Sequence, residues 1–338
     1  MRTSHRRAVA LAFAFVAVTL VATACASSST SSTKTSARPG ATTTTAVEGG
    51  PGSWSKALAV SPGTPLTTVS CPSRGVCLLG TASGTTYWLT QTKVTPLGPA
   101  VPSPAPAGNS FVSCATATFC AAAPNLNQVA FNHGTSWSAP VTISSAQGFT
   151  AIDCASTTFC ITTDGEGNSF SYNGTRWTGN LGAWGAANQI SCTSSTFCVA
   201  AEGGPSIFNG TRWSEPTDSD TAGQLNAVSC ATPSFCVLVD SGGSELTWNG
   251  TQFAGPTSIA TEPPTAGTDA SGLTGVACPS ATFCQAVDSV GRAFFWNGTA
   301  WNAGTLVDGG VALTAVSCAS ARSCVAVDRN GNAFFWTS

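Results

Sequence analysis

Val276 to Trp301 reads VACPSATFCQAVDSVGRAFFWNGTAW. A short apolar run ends in Cys278, five residues lead to Cys284, and a second run ends in Asp288. Gly291 follows in a turn, then Phe294-Phe295-Trp296, then Asn297-Gly298-Thr299, and finally Trp301. Runs of β-branched and aromatic residues separated by Gly, Asn and Asp predict four short strands, a to d. Beyond the N-terminal leader, no stretch sustains helical periodicity over the roughly 11 residues that a helix assignment needs.

This pattern recurs through the chain. The same spacing leads from Cys71 to Cys77, from Cys114 to Cys120, from Cys154 to Cys160 and from Cys192 to Cys198. It returns from Cys230 to Cys236, from Cys278 to Cys284 and from Cys318 to Cys324. Four-stranded units of about 40 residues, repeated seven times, resemble a β-propeller. The seventh unit stops after its third strand, Phe334-Phe335-Trp336, and the missing strand stands at the other end. There Gly52-Ser53-Trp54-Ser55 matches Thr135-Ser136-Trp137-Ser138 and Thr211-Arg212-Trp213-Ser214. An all-β, seven-bladed propeller over residues 51–338 is expected, its last blade closed by the N-terminal strand. An open solenoid is the weaker reading, because a split unit serves ring closure.

The turns carry their own chemistry. Asn173-Gly174, Asn209-Gly210, Asn249-Gly250 and Asn297-Gly298 predict two-residue type I′ hairpins, which need positive φ at both positions. Asp164-x-x-Gly167, Asp240-x-x-Gly243, Asp288-x-x-Gly291 and Asp328-x-x-Gly331 predict b–c turns with Asp as cap and Gly in the left-handed region.

The N-terminus has Arg2, Arg6 and Arg7, an apolar run from Ala8 to Val21, and Ala22-Thr23-Ala24-Cys25. Fourteen apolar residues fall short of the roughly 20 that span a bilayer, so residues 1–24 are expected to be a secretory signal peptide. Small residues before Cys25 resemble a bacterial lipobox, which implies lipidation of that cysteine. Residues 25–50 are rich in Ser and Thr and lack large apolar side chains, so a disordered tether is expected. Together these features place the protein on the outer face of the cytoplasmic membrane, at the cell surface, or secreted.

The 15 cysteines of the 338-residue chain argue against a reducing compartment. Each pair brackets a five-residue a–b loop that a disulfide can bridge. Zinc needs four ligands drawn together, whereas one pair per unit spreads them around a ring. Seven disulfides then leave Cys25 for the lipid. No metal or cofactor is expected, although the oxygens of Asp328-Arg329-Asn330-Gly331-Asn332 could suit calcium.

Only 8% of residues are charged, and the net charge of −2 offers no footprint for nucleic acid. Propeller geometry gathers the b–c turns and the variable d–a loops on one face. The candidate binding face there comprises Asp164, Trp184, Asp218, Asp220, Asp240, Asp288 and Asp328. For each acid the competing reading is a turn cap or solvated surface. The aromatic positions of strands c and d recur in every unit, which favours packing between blades over ligand contact. Trp184 stands outside that register.

The Asp-x-x-Gly turns faintly resemble the Asp-box of sialidase-like propellers, but the Ser-x-Asp-x-Gly-x-x-Trp order is absent. A glycoside hydrolase using carboxylates at the channel is the alternative function. The repeats also resemble secreted actinobacterial proteins carrying VSC-x5-C-x-A-V-D and W-N-G-T-x-W units, a group without established activity. The leading expectation is therefore a non-catalytic, lipid-anchored monomer that binds or scaffolds a protein or glycan. It would meet the membrane through its lipid alone.

Overall fold

A computed structural model describes residues 52–101, 110–124, 127–143, 147–179, 181–182, 185–218, 223–260 and 272–338. Their strands form seven antiparallel sheets, one per repeat. The innermost strands are Leu66–Ser73, Ser110–Thr116, Phe149–Ser156, Gln189–Ser194, Leu225–Thr232, Leu273–Ser280 and Leu313–Ser320. Each neighbours the next, and the seventh meets the first, so the ring closes.

Closure uses the two ends of the chain. Ser53 and Trp54 pair with Thr337 and Trp336, and Leu58 and Ala59 pair with Ala333 and Asn332. The fourth blade departs from the four-strand rule. Its sheet has three strands, and the outer position is reduced to a bridge between Phe208 and Trp213.

Side chains alternate between the two faces of each strand, and the core consequently lies between blades. Val287 and Ala293 of the sixth blade pack with Leu313, Ala326 and Phe334 of the seventh. Leu79 and Leu89 of the first pack with Val325, Val327 and Ala333 of the seventh. The recurring aromatic residues join this packing. Within blades, Tyr172 lies 5.5 Å from Trp177 and Phe208 5.3 Å from Trp213. Between blades, Phe131 lies 4.7 Å from Tyr172 and Phe295 6.0 Å from Trp336.

All seven expected disulfides are present. Cys71 is bonded to Cys77, Cys114 to Cys120, Cys154 to Cys160 and Cys192 to Cys198. Cys230 is bonded to Cys236, Cys278 to Cys284 and Cys318 to Cys324. Their Cα atoms lie 3.9–4.1 Å apart.

The expected five-residue loop between the cysteines needs correction, because the strands continue past them. Cys114 stands directly opposite Cys120, Cys154 opposite Cys160 and Cys192 opposite Cys198. Cys230 faces Cys236 and Cys318 faces Cys324 in the same way. Beyond each pair a register shift admits one more pairing, such as Ser156 with Phe159. Only Thr157 and Thr158 are then left to turn the chain. In the first and sixth blades the irregularity takes in the cysteines themselves. There the register runs from Ser70 opposite Leu78 to Ser73 opposite Val76, and from Ala277 opposite Gln285 to Ser280 opposite Phe283. Each disulfide therefore crosses between two strands of a sheet rather than closing the base of a loop.

The Asn-Gly turns are also built differently from expectation. Gly174, Gly210, Gly250 and Gly298 have φ between 92° and 96°, whereas Gln91 is the one non-glycine with positive φ among the described residues. The type I′ form needs both central residues there, so it is excluded. Instead the Asn side chain organises the turn. Asn173 Oδ1 accepts from the N–H groups of Thr175 and Arg176 and from the Thr175 hydroxyl, all within 3.1 Å.

Candidate binding surfaces

Two sets of side-chain hydrogen bonds tie the innermost strands around the axis. In the first, the residue before each first cysteine accepts the N–H of the cysteine in the next blade. Cys114 donates to Ser70 (2.9 Å), Cys154 to Ser113 (3.0 Å) and Cys230 to Ser191 (2.9 Å). Cys278 donates to Ser229 (2.9 Å), and Cys71 donates to Ser317 (3.0 Å) across the closure. The third blade substitutes Asp153, which accepts from Cys192 N–H (2.7 Å) and the Ser113 hydroxyl (2.8 Å). Burial pushes the Asp153 carboxyl up to about 6, despite the opposing pull of these donors. In the sixth blade this place is held by Ala277, which has no side-chain oxygen to offer.

The second set lies nearer the start of the same strands and runs from the fourth blade round to the first. Asn188 and Asn226 donate to the carbonyls of Leu225 and Leu273 (both 2.7 Å). Thr274 and Thr314 donate to the carbonyls of Leu313 and Leu66 (both 2.6 Å). A cavity of about 210 Å³ lies on the axis and receives residues from all seven inner strands or their starts. Its polar lining is hydroxyl and amide, including Thr67, Gln189 and Asn226, with no ionisable side chain among the lining residues.

Four acids of the candidate face are the turn caps that their Asp-x-x-Gly spacing predicts. Asp164, Asp288 and Asp328 are fully buried and Asp240 is 1% exposed. One oxygen of each accepts the same two backbone N–H groups in its own turn. Asp288 Oδ1 takes those of Val290 (3.1 Å) and Arg292 (2.7 Å), and Asp328 Oδ1 those of Asn330 (2.9 Å) and Asn332 (2.7 Å). Asp164 serves Glu166 and Asn168, and Asp240 serves Gly242 and Ser244, at 2.8–3.0 Å. The second Asp288 oxygen pairs with Arg292 at 2.7 Å. The second oxygens of Asp164 and Asp328 accept from Asn168 and Asn332 in the same turns, whereas Asp240 Oδ2 finds no donor; all four carboxylates are buried in their own hairpins. Asp218 is exposed. Trp184 and Asp220, like Cys25, lie outside the described residues.

Two further acids, Glu202 and Asp308, behave unusually. Glu202 occupies the capping position of the fourth blade, four residues after Cys198. It is 3% exposed, yet neither carboxylate oxygen finds a donor. Pro205 already pairs with Ala201, leaving a three-residue turn in place of five. Burial pushes the Glu202 carboxyl up to about 7. Asp308 lies against Asp328, and burial, then the hydrogen bond and charge of that neighbour, push it up to about 6. A turn-cap position filled by Glu, the longer acid, was the available sequence signal for the first. Asp308 had no signal, because its neighbour comes from the next blade.

A further pattern occurs on the outer wall, where strand d of one blade meets strand c of the blade before. The Trp137 indole N–H donates to the Thr86 hydroxyl (2.9 Å), and that of Trp213 donates to Ser169 (3.0 Å). These bonds latch the first blade to the second and the third to the fourth. Corresponding places opposite Trp177, Trp301 and Trp54 hold Val129, Glu245 and Ala293. Grooves of about 780, 570 and 320 Å³ lie at those three junctions. Burial raises the Glu245 carboxyl, with the Thr247 hydroxyl and the Trp301 indole partly opposing it.

No protein-family model matches the sequence, and no curated protein does. Among solved structures, the chain is similar to YCF48 bound to D1 peptide, at 14% identity and a TM-score of 0.67, over 87% of this chain and 99% of that one. It is also similar to U3-55K, at 10% identity and a TM-score of 0.72, over 86% and 100% of the two chains. The RRP9 WD40 repeats give 10% identity and a TM-score of 0.72, over 83% and 96%. These likenesses establish a shared propeller fold.

Proposed function

We propose that the chain is an exported, non-catalytic binding module, tethered through a lipid on Cys25, whose propeller presents its loop face to a protein partner. The observation that carries this reading is the fate of the acids. Acid–base catalysis needs carboxyl groups held within reach of a substrate. Here the repeat's aspartates are consumed in their own turns, while the axial cavity offers hydroxyl and amide groups. A rigid scaffold with variable loops suits recognition. The propeller similar to this chain that holds a peptide supports the choice of a protein partner.

The test has two arms. Metabolic labelling with an alkyne fatty acid should mark the wild-type chain and spare Cys25→Ala. In-cell photo-crosslinking from Asp218 on the exposed loop should join the chain to one defined envelope protein. Turnover of a glycoside panel, abolished by Asp308→Asn, would overturn the non-catalytic assignment.

A further inference from the structure

The groove between the sixth and seventh blades holds a concentration of unmet polar groups. Gln285 is 1% exposed, and both its amide nitrogen and its amide oxygen lack a partner. The buried indole Nε1 of Trp336, which lines the same groove, also lacks one. Leaving a buried donor or acceptor unmet costs about 1–3 kcal/mol, so three in one place call for an explanation.

The repeat makes Gln285 the exception. The residue after the second cysteine is Leu78, Ala121, Ile161, Val199, Val237 or Val325 in the other six blades. All are apolar, as the interior of a blade junction requires. Gln285 pairs with Phe295 across the sheet. Phe295 stacks on Trp336 with ring centroids 6.0 Å apart, and Trp336 lies 5.7 Å from Trp54. Leu306 stands at the rim, 61% exposed. No ionisable residue lines the groove.

We propose that this groove is a binding site for a neutral saccharide, independent of the loop-face partner. Its volume of about 320 Å³ is near the lower end of small-molecule sites. The unmet groups comprise amide donors, an amide acceptor and an indole donor. A hydroxyl both donates and accepts, so neighbouring hydroxyls of one pyranose satisfy all of them. The apolar C–H face of the same ring then lies against the aromatic wall of Phe295, Trp336 and Trp54. A charged ligand would find no counter-ion in the lining.

The full exported chain should be titrated calorimetrically with cellotriose, maltotriose, mannotriose and chitotriose. One of them should bind, and Gln285→Val should weaken it at least about tenfold, the loss expected for two neutral hydrogen bonds. Because Val is the residue of three other blades, the denaturation midpoint of that variant should hold or rise. In wild-type protein the Gln285 side-chain amide resonance should shift on saturation. The proposal is overturned if no saccharide binds with Kd below about 10 mM. It also fails if binding survives Gln285→Val, if the amide resonance stays in place, or if the variant loses stability. The last result would show that the amide is satisfied within the fold, by water for example.

Discussion

Trp54 stands directly opposite Trp336, joining the first described strand to the last. Beside them, Phe335 N–H donates to Ser55 Oγ at 3.0 Å across 280 residues of chain. The seventh blade is therefore complete only when both ends of the propeller are present, which makes its closure a long-range contact. Trp54→Ala should lower unfolding stability by about 2 kcal/mol, less than for a fully buried Trp, because Trp54 is half-buried. A urea midpoint equal to wild type would contradict the closure role.

Ala277 interrupts the ring of acceptors that Ser70, Ser113, Asp153, Ser191, Ser229 and Ser317 otherwise supply. Ala277→Ser should give the Cys318 N–H the partner its counterparts have. The expected gain is about 1 kcal/mol, read as a higher denaturation midpoint. A loss would show that the site, 7% exposed, has no room for the hydroxyl.

Glu202 should make stability fall as pH rises. Its folded pKa of about 7 exceeds the ordinary 4.5, so the folded state holds the proton more tightly. Stability is then highest below pH 4.5, declines between 4.5 and 7, and is level above, by on the order of 2 kcal/mol for this one group. Glu202→Gln is neutral throughout and should flatten that part of the profile. Urea titrations across this window compare the two, and identical slopes would rule out the assignment.

Each disulfide links residues close in sequence, so the chain-entropy argument gives it about 2 kcal/mol. Replacing Cys154 and Cys160 together by Ala should cost about that much and leave a folded chain. Intact mass of the exported protein under alkylation should show the 14 cysteines of the seven pairs protected from the reagent. Modification of any of them would contradict the pairing.

The repeat was legible because its signals are local. A cysteine spacing, an Asp-x-x-Gly turn and an aromatic alternation each act within a few residues. Copied seven times, they reported strand number, disulfide pairing and even the split blade at Trp54. Spacing did not report how far the paired strands run, since Cys114 opposite Cys120 and Cys318 opposite Cys324 lie within the ladder and not at its end. The Asn-Gly turns misled because type I′ geometry needs positive φ at Asn, whereas Asn173 remains outside that region and builds the turn through its side chain.

The binding surface was much less legible. The Asp-x-x-Gly spacing predicts Asp164, Asp240, Asp288 and Asp328 as turn caps, and they cap those turns, but it did not report that capping also buries them. Gln285 was visible as the polar exception in an apolar column. Its unmet amide, however, depends on Trp336 and Trp54 arriving from the next blade.

Sequence by itself determined the strands, the seven-fold count, the crosslinks and the route to closure, because those follow from contacts within one repeat or between copies of it. Tertiary structure decided which acids are buried, which side chains bridge the blades and where the outer wall opens. Those outcomes depend on pairs such as Trp137 with Thr86 and Trp54 opposite Ala293, in which one residue faces another from an adjacent blade. Whether an indole meets a hydroxyl or a methyl is settled only when the two blades pack.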